Sequence, residues 1–192
     1  MAEHGMDLTN QFLIAMPGMK DDRFAGTVVY LCEHSAKGAL GLVINRPVDI
    51  TLGELFDKIE LDLGDGALSR QPVFFGGPVQ PERGFVLHDP LCADASAFAS
   101  TLDVPGGLAM TTSKDVLEAL ARGEGPRRVL VTLGYSGWSA GQLEEELGRN
   151  GWLTVPADAG VIFDTPVEQR YSRALGLLGI DPRMLSLEAG HA

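Results

Sequence analysis

Between Thr51, which opens one helix, and Ser113, which caps the next, the chain runs through a long β-rich block with no helical period. Pro72-Val73-Phe74-Phe75 leads into Gly76-Gly77-Pro78-Val79. Gly84-Phe85-Val86-Leu87-His88, Ala97 to Leu102 and Leu108-Ala109-Met110-Thr111 follow, with Pro105-Gly106-Gly107 as a turn. A doubly wound parallel sheet needs a crossover helix between successive strands, and about fifty residues pass here without one. The expectation is an α+β domain: a mixed, strongly bent β-sheet with about four helices packed outside it.

The flanking segments fill in that frame. Phe12-Leu13-Ile14-Ala15 is a short strand ended by Met16-Pro17-Gly18. Thr27 to Cys32 and Ala39 to Ile44 form a hairpin across Ser35-Ala36-Lys37-Gly38, and both strands are apolar on consecutive positions, so both faces are covered. Thr51 and Glu54 make a capping box, Ile50 and Leu55 a staple, and Leu52, Leu55, Phe56 and Ile59 one helical face. Val116, Leu117 and Leu120 mark the face of the Ser113 helix, which Gly123 and Pro126 end.

Trp152 to Val155 and Gly160 to Phe163 read as two further strands. Thr165-Pro166-Val167-Glu168 combines an N-cap, a proline at N1 and a capping-box Glu. Val167, Tyr171, Ala174, Leu175 and Leu178 make the stripe of that helix and Gly179 its stop. With no repeat, linker or low-complexity segment, residues 1–192 read as one domain with irregular tails over 1–7 and 186–192.

The chain is organised around GYSGWSAGQLEEELGRNGW, Gly134 to Trp152. The β run Val129 to Leu133 enters it, Gly134-Tyr135-Ser136-Gly137 reads as a small-residue turn, and a helix leaves it, an arrangement that open sheets use to hold ligands. Gly137-Trp138-Ser139-Ala140-Gly141 matches the G-x-S-x-G of a hydrolase nucleophile elbow. The same residues also spell a helix start. Ser139 and Gln142 form a capping box, Trp138 and Leu143 a staple, and Glu144, Glu145 and Glu146 sit where the helix dipole favours negative charge. That second reading accounts for every residue without catalysis.

Charge bounds the partners. Twenty-six acidic residues against 15 basic give a net charge of −11, which works against polyanions, because non-specific nucleic-acid affinity comes from Lys and Arg on phosphates. The N-terminal MAEHGMDLTNQ lacks a basic and an apolar signal region, and no apolar run reaches the roughly 18 residues of a membrane helix. Cys32 and Cys92 stand far apart with no CxxC and no zinc-type spacing. These features describe a cytoplasmic protein with no membrane partner, no metal and no cofactor fingerprint.

Several residues carry candidate chemistry. Cys32-Glu33-His34 places Cys32 and His34 at i and i+2 of a strand end, on one face, a spacing that permits a thiol–imidazole pair; the alternative is a buried Cys acting as a small hydrophobe. Asn45 and Arg46, before Pro47, could bind an anion or simply terminate a strand. Gly76 and Gly77 make a tight backbone turn that could approach a ligand, without a dinucleotide or Walker frame. His88 beside Asp89 could be an oriented imidazole or a structural one. Tyr135, Ser136, Trp138 and Gln142 complete the candidate binding set. It would form where the Gly134–Trp138 turn, the Gly76–Pro78 turn and the Cys32–His34 strand end meet.

An ordered set of stretches then resembles one family. They are Phe12-Leu13-Ile14-Ala15-Met16-Pro17, Cys32-Glu33-His34, Gly41-Leu42-Val43-Ile44-Asn45-Arg46-Pro47, Gly76-Gly77-Pro78-Val79, Gly84-Phe85-Val86-Leu87-His88, Gly134 to Trp152 and Ala189-Gly190-His191-Ala192. Together they resemble the YqgE/AlgH family of small bacterial proteins. The resemblance implies a complex α+β fold whose bent sheet forms a pseudo-barrel, with no established activity and no established catalytic residues. One member carries the label of a transcriptional regulator of alginate production. The family usually has Ala at the position of Ser136 and a variable residue at that of Ser139, which counts against a serine nucleophile. The functional expectation is a non-enzymatic regulatory protein that binds a small molecule or a protein partner. The alternatives are a thiol-dependent enzyme or redox sensor using Cys32 with His34, and a transcriptional regulator acting on DNA directly.

Overall fold

The computed structural model describes residues 7–17, 24–64, 66–89, 98–104 and 107–179. Its strands are β1 (Gln11–Ala15), β2 (Val28–Ser35), β3 (Gly38–Val43), β4 (Pro47–Thr51), β5 (Pro72–Phe75), β6 (Val79–His88), β7 (Thr101–Asp103), β8 (Ala109–Thr111), β9 (Val129–Ser139) and β10 (Trp152–Pro156). Its helices are α1 (Leu52–Lys58), α2 (Asp115–Ala121), α3 (Gln142–Gly148), α4 (Ala159–Phe163) and α5 (Arg170–Leu177). The strands form one curled sheet in the order β10-β1-β2-β3-β9-β6-β8-β7. The β4–β5 hairpin joins through β5, which runs parallel to β9 at Phe74↔Thr132 and Phe75↔Leu133; the other pairs are antiparallel.

Alternation along the strands builds the core. Val28, Tyr30 and Cys32 of β2 enter one cluster with Phe12, Ile14, Leu42, Phe85 and Leu130, which α4 and α5 cover with Val161, Ile162, Ala174 and Leu175. Val29 and Leu31 point the other way, into a cluster with Leu13, Val43, Trp138, Trp152 and Leu143 of α3. A third cluster puts α1 and α2 on β6 and β9 through Leu52, Phe56, Val86, Val116, Leu120, Val129 and Val131. The expected hairpin, covered on both faces, is β2–β3. Arg170, buried at the start of α5, donates to the carbonyls of Ile44 and Thr165 and lies over the Phe74 ring, so it joins that helix to the sheet. Among the described residues no helix is long and apolar enough to cross a membrane.

The helix starts test the sequence reading most closely. At α1 the Thr51 hydroxyl accepts from Glu54 N–H at 3.2 Å, as the capping box requires. Gly160–Phe163, expected as a strand, is instead helix α4. Asp158 accepts from Gly160 N–H at 2.8 Å, and that cap decides a run too short to show a period of its own.

Ser113 does not cap α2: its hydroxyl donates to the Asp115 carboxylate and accepts from Ser100 N–H at 3.1 Å, so it ties a loop instead. Thr165 likewise gives its hydroxyl to Gly160 O at 3.0 Å. The helix after Pro166 begins as a 3-10 turn over Val167–Gln169 before α5. The strand expected over Ala97 to Leu102 is the short β7; Ala97, Pro105 and Gly106 lie outside the described residues, as do Cys92, the tail from 186 and the closing Ala189 to Ala192.

Candidate functional site

The largest revision concerns Gly134–Gly137. This is not a turn: β9 continues through it to Ser139, and α3 starts only after Gly141, whose φ of +78° makes the break. Of the Ser139 capping box only one half forms, Ser139 N–H donating to Gln142 Oε1 at 3.0 Å. Two different local contexts suit such a sequence, and the β3 edge waiting beside Ser136–Ser139 selects the strand.

The glycine turn crosses this strand. Gly76 leaves β5 on one edge of β9, where its N–H donates to Leu133 O at 2.8 Å and its carbonyl accepts from Val43 N–H at 2.9 Å and from the Ser136 hydroxyl at 3.0 Å. Three residues later Val79 pairs with Tyr135 on the opposite edge. Backbone therefore passes over backbone. A Cβ on Gly77 would stand 2.1 Å from Tyr135 C, one on Gly76 2.3 Å from Gly134 O, and one on Gly134 2.3 Å from Gly77 O. Gly76, Gly77 and Ser136 thus form the crossing itself.

Past the crossing, β9 and the β2–β3 hairpin make a shallow floor. Register aligns Glu33, Leu40 and Gly137 in one row and Ser35, Gly38 and Ser139 in the next. Over them opens a cleft of about 390 Å³ lined by Glu33, Lys37, Leu40, Val79, Tyr135 and Gly137. Tyr135 forms a wall, held edge-to-face on Phe85 with ring centroids 5.4 Å apart. A Cβ on Gly137 would meet nothing nearer than the Tyr135 ring edge at 3.3 Å and a Val79 methyl at 3.8 Å. Its neighbours Gly38 and Gly41 are different: a Cβ there would lie 2.3 Å from Trp138 O and 2.5 Å from a Val29 methyl. Gly137 is a strand glycine that no backbone neighbour requires, as is Gly84 of β6, and close approach by a ligand or another backbone is one reason for such a glycine.

The other expected residues sort around this cleft. Cys32 and His34 do not share a face. A register shift between Leu31 and Glu33 inserts Cys32 as a bulge residue, which reverses the alternation after it. Cys32 therefore lies in the core with Tyr30, only 1% exposed, while His34 turns to the side of Leu8 and α3. His34 Nδ1 accepts from Leu8 N–H at 3.0 Å, so its other nitrogen donates to the Glu144 carboxylate. Burial pushes the Cys32 thiol far up, and no thiol–imidazole pair exists. Cys32 is expected to resist iodoacetamide at pH 8 in the folded chain and to react at least about 100-fold faster in urea. Peptide mapping separates it from Cys92, and rapid labelling of folded Cys32 would contradict its placement.

Asn45 and Arg46 hold a loop. The Asn45 side chain accepts from Val28 N–H at 2.9 Å and donates to Gly26 O at 3.0 Å, and Arg46 donates to Ala25 O at 2.8 Å. Trp138 stacks on Phe24 and donates to Glu146, so its ring lies on the sheet face opposite the cleft and its backbone meets the cleft. Gln142 finishes the strand end rather than lining the floor.

His88 is fully buried. Its Nδ1–H donates to Asp89 O at 2.8 Å, which leaves Nε2 to accept from the Thr111 hydroxyl at 2.7 Å, and Thr101 donates to Thr111 in turn at 2.9 Å. Burial lowers its pKa. The unfolded chain takes up a proton near pH 6.5 that the folded chain disfavours, so stability falls as pH drops below that value. The urea midpoint is expected to decline more between pH 7 and 5 in wild type than in His88→Gln. Equal declines would contradict this.

A second cleft of about 280 Å³ lies between Asn10, Tyr30, Leu108 and Arg128. Its polar groups already serve one another: Tyr30 donates to Asn10 and accepts from Leu108 N–H, and Arg128 is paired with both Asp89 and Asp164. Glu33 and Gly137 fall within the expected segments without being singled out there, and Leu40 and Val79 come from the structure alone. Gly137 stands out only once β9 is read as an uninterrupted strand.

The comparisons agree with this fold. A family model described as AlgH-like matches residues 12–183. A UPF0301 protein of Ralstonia nicotianae is 68% identical over 187 residues, covering 97% of this chain and 96% of the relative. One from Cupriavidus pinatubonensis is 66% identical over 191 residues, covering 100% and 98%. The solution structure of the AlgH protein from Pseudomonas aeruginosa superposes with a TM-score of 0.77 at 48% identity, over 100% of both chains. A crystal structure of a Corynebacterium diphtheriae protein gives a TM-score of 0.70 at 20% identity, covering 91% of this chain and 88% of the other, a likeness of fold alone.

Proposed function

We propose that this chain, which belongs to the AlgH-like family, is a non-enzymatic regulatory protein that binds a ligand or partner in the cleft over Gly137. The observation that carries the reading is Gly137, a residue in mid-strand with neither a positive φ nor a backbone neighbour to demand glycine, and a cleft above it. The site offers an apolar floor of Leu40 and backbone, an aromatic wall in Tyr135, and a polar rim of Glu33 and Lys37. Such a set recognises and orients; it does not pair a nucleophile with a base. The acidic balance of the chain weighs against direct contact with DNA phosphates. The free, buried Cys32 suits a reducing cytoplasm.

The test is a metabolite screen by thermal shift, together with a pull-down, run in parallel on wild type and Gly137→Val. A ligand or partner held by wild type and lost by the variant is the expected result. No capture at all, or equal capture by both chains, would remove the reading.

A further inference from the structure

A third cleft, of about 190 Å³, lies where α1 and α2 part over the third core cluster. Register sets Gly84 beside Leu133 and Val86 beside Val131, so these four positions share one sheet face and make the floor. Leu55 of α1 and Ile59 after it wall one side, and Leu117 of α2 the other; all three stay partly exposed. A Cβ on Gly84 would meet no heavy atom within 4 Å, so the floor is open down to the backbone. The exposed lining residues are Glu82, Arg83 and Lys114. Strands β6 and β8 run antiparallel from Val86↔Thr111, which brings Glu82 and Lys114 to the same end of the cleft. The nearby hydroxyls are committed, Thr112 to the Ser100 hydroxyl and Ser113 to Asp115 and to Ser100 N–H. Arg83 lies over the Phe85 ring, 5.8 Å from its centroid. Among the described residues neither Glu82 nor Lys114 has a hydrogen-bond or ion-pair partner, and they do not pair with each other.

We infer that this cleft binds a free α-amino acid with an apolar side chain, its carboxylate on Lys114, its ammonium on Glu82 and its side chain over Gly84. An apolar cavity of about 150 Å³ holds a benzene-sized molecule. The space over Gly84 therefore suits a leucine or phenylalanine side chain and is too small for a long acyl chain. Charge narrows the head group. A monocarboxylate would meet Glu82 as a like charge, and a monoamine would meet Lys114 in the same way. A zwitterion answers both, and the flexible lysine stem lets the ammonium close on a carboxylate between them. The site is distinct from the one over Gly137, since the two clefts share no lining residue.

The experiment titrates the ¹⁵N-labelled full chain with L-leucine and L-phenylalanine, reading the Gly84 amide shift. Isocaproate and phenylpropanoate, which lack the ammonium, and isoamylamine and phenethylamine, which lack the carboxylate, are titrated beside them. At least one amino acid is expected to move the Gly84 amide saturably, with its acid and amine analogues each at least about ten-fold weaker. Lys114→Gln should weaken the amino acid by a similar factor and leave the amine unchanged; Glu82→Gln should weaken the amino acid and not the acid. Both variants replace exposed side chains, so the fold is kept. Silence of Gly84 toward both amino acids, an analogue that binds as tightly as its amino acid, or binding indifferent to both substitutions overturns the inference. Gly137→Val is expected to leave this titration unchanged, so an amino acid that maps to Gly84 does not bear on the cleft over Gly137. If Gly84 stays silent while Gly137→Val abolishes capture of another ligand, only the amino-acid site falls.

Discussion

Gly77→Ala is expected to lower the unfolding free energy by about 4 kcal/mol or more, at the far end of what single substitutions do. The added methyl would sit 2.1 Å from Tyr135 C, 2.2 Å from Tyr135 O and 2.3 Å from Ser136 N. All three are backbone atoms of the central strand, which β3 and β6 hold from both edges, so no rotamer change relieves the overlap. The crossing would have to lift away from β9, breaking the Gly76 N–H bond to Leu133 O and the Ser136 bond to Gly76 O. Each broken bond leaves a buried polar group to be satisfied elsewhere. Urea denaturation measures the effect. A loss within about 1 kcal/mol would mean that the two backbones are not in contact.

Gly137→Val, three residues along β9 from Gly134, is expected to behave oppositely. The fold should survive with its urea midpoint unchanged or raised, since Gly137 needs no left-handed conformation and valine favours a strand. The new methyls would ask only that the Tyr135 ring edge, 3.3 Å from the Cβ, shift slightly. They would fill the floor between Leu40 and Tyr135, and affinity for the natural ligand or partner should fall about 100-fold. Titration calorimetry against whatever wild type captures is the measurement. A variant that folds and binds like wild type would place the site elsewhere. The pair of glycines separates two reasons for the same residue type: one position is closed by backbone, the other is open to the cleft.

Much of the frame was legible in the sequence because local chemistry and tertiary context agree there. At Thr51 the cap, the staple and the apolar face all point to one helix, and the fold keeps them. Where they disagree, context wins. Gly134–Gly137 has the composition of a turn, yet β3 supplies a pairing edge and the residues become strand. Ser113 and Thr165 have the identity of caps, but nearer partners, the Asp115 carboxylate and the Gly160 carbonyl, take their hydroxyls. Cys32 and His34 have the spacing of a pair, and one bulge places them on opposite faces. The expectation that the Gly76–Pro78 and Gly134–Trp138 segments meet treats both as turns, whereas the second is strand. What no local pattern carries is that one backbone crosses the other. That fact explains three of the glycines, while Gly137 faces the cleft with no backbone atom against it.

The central claim is that the cleft over Gly137 is where this protein engages its ligand or partner. Amide shift mapping of the ¹⁵N-labelled chain with the captured molecule tests it. Perturbation centred on Glu33, Leu40, Tyr135 and Gly137 is the expected result. Perturbation centred on Tyr30, Leu108 and Arg128, with the Gly137 row silent, would contradict it.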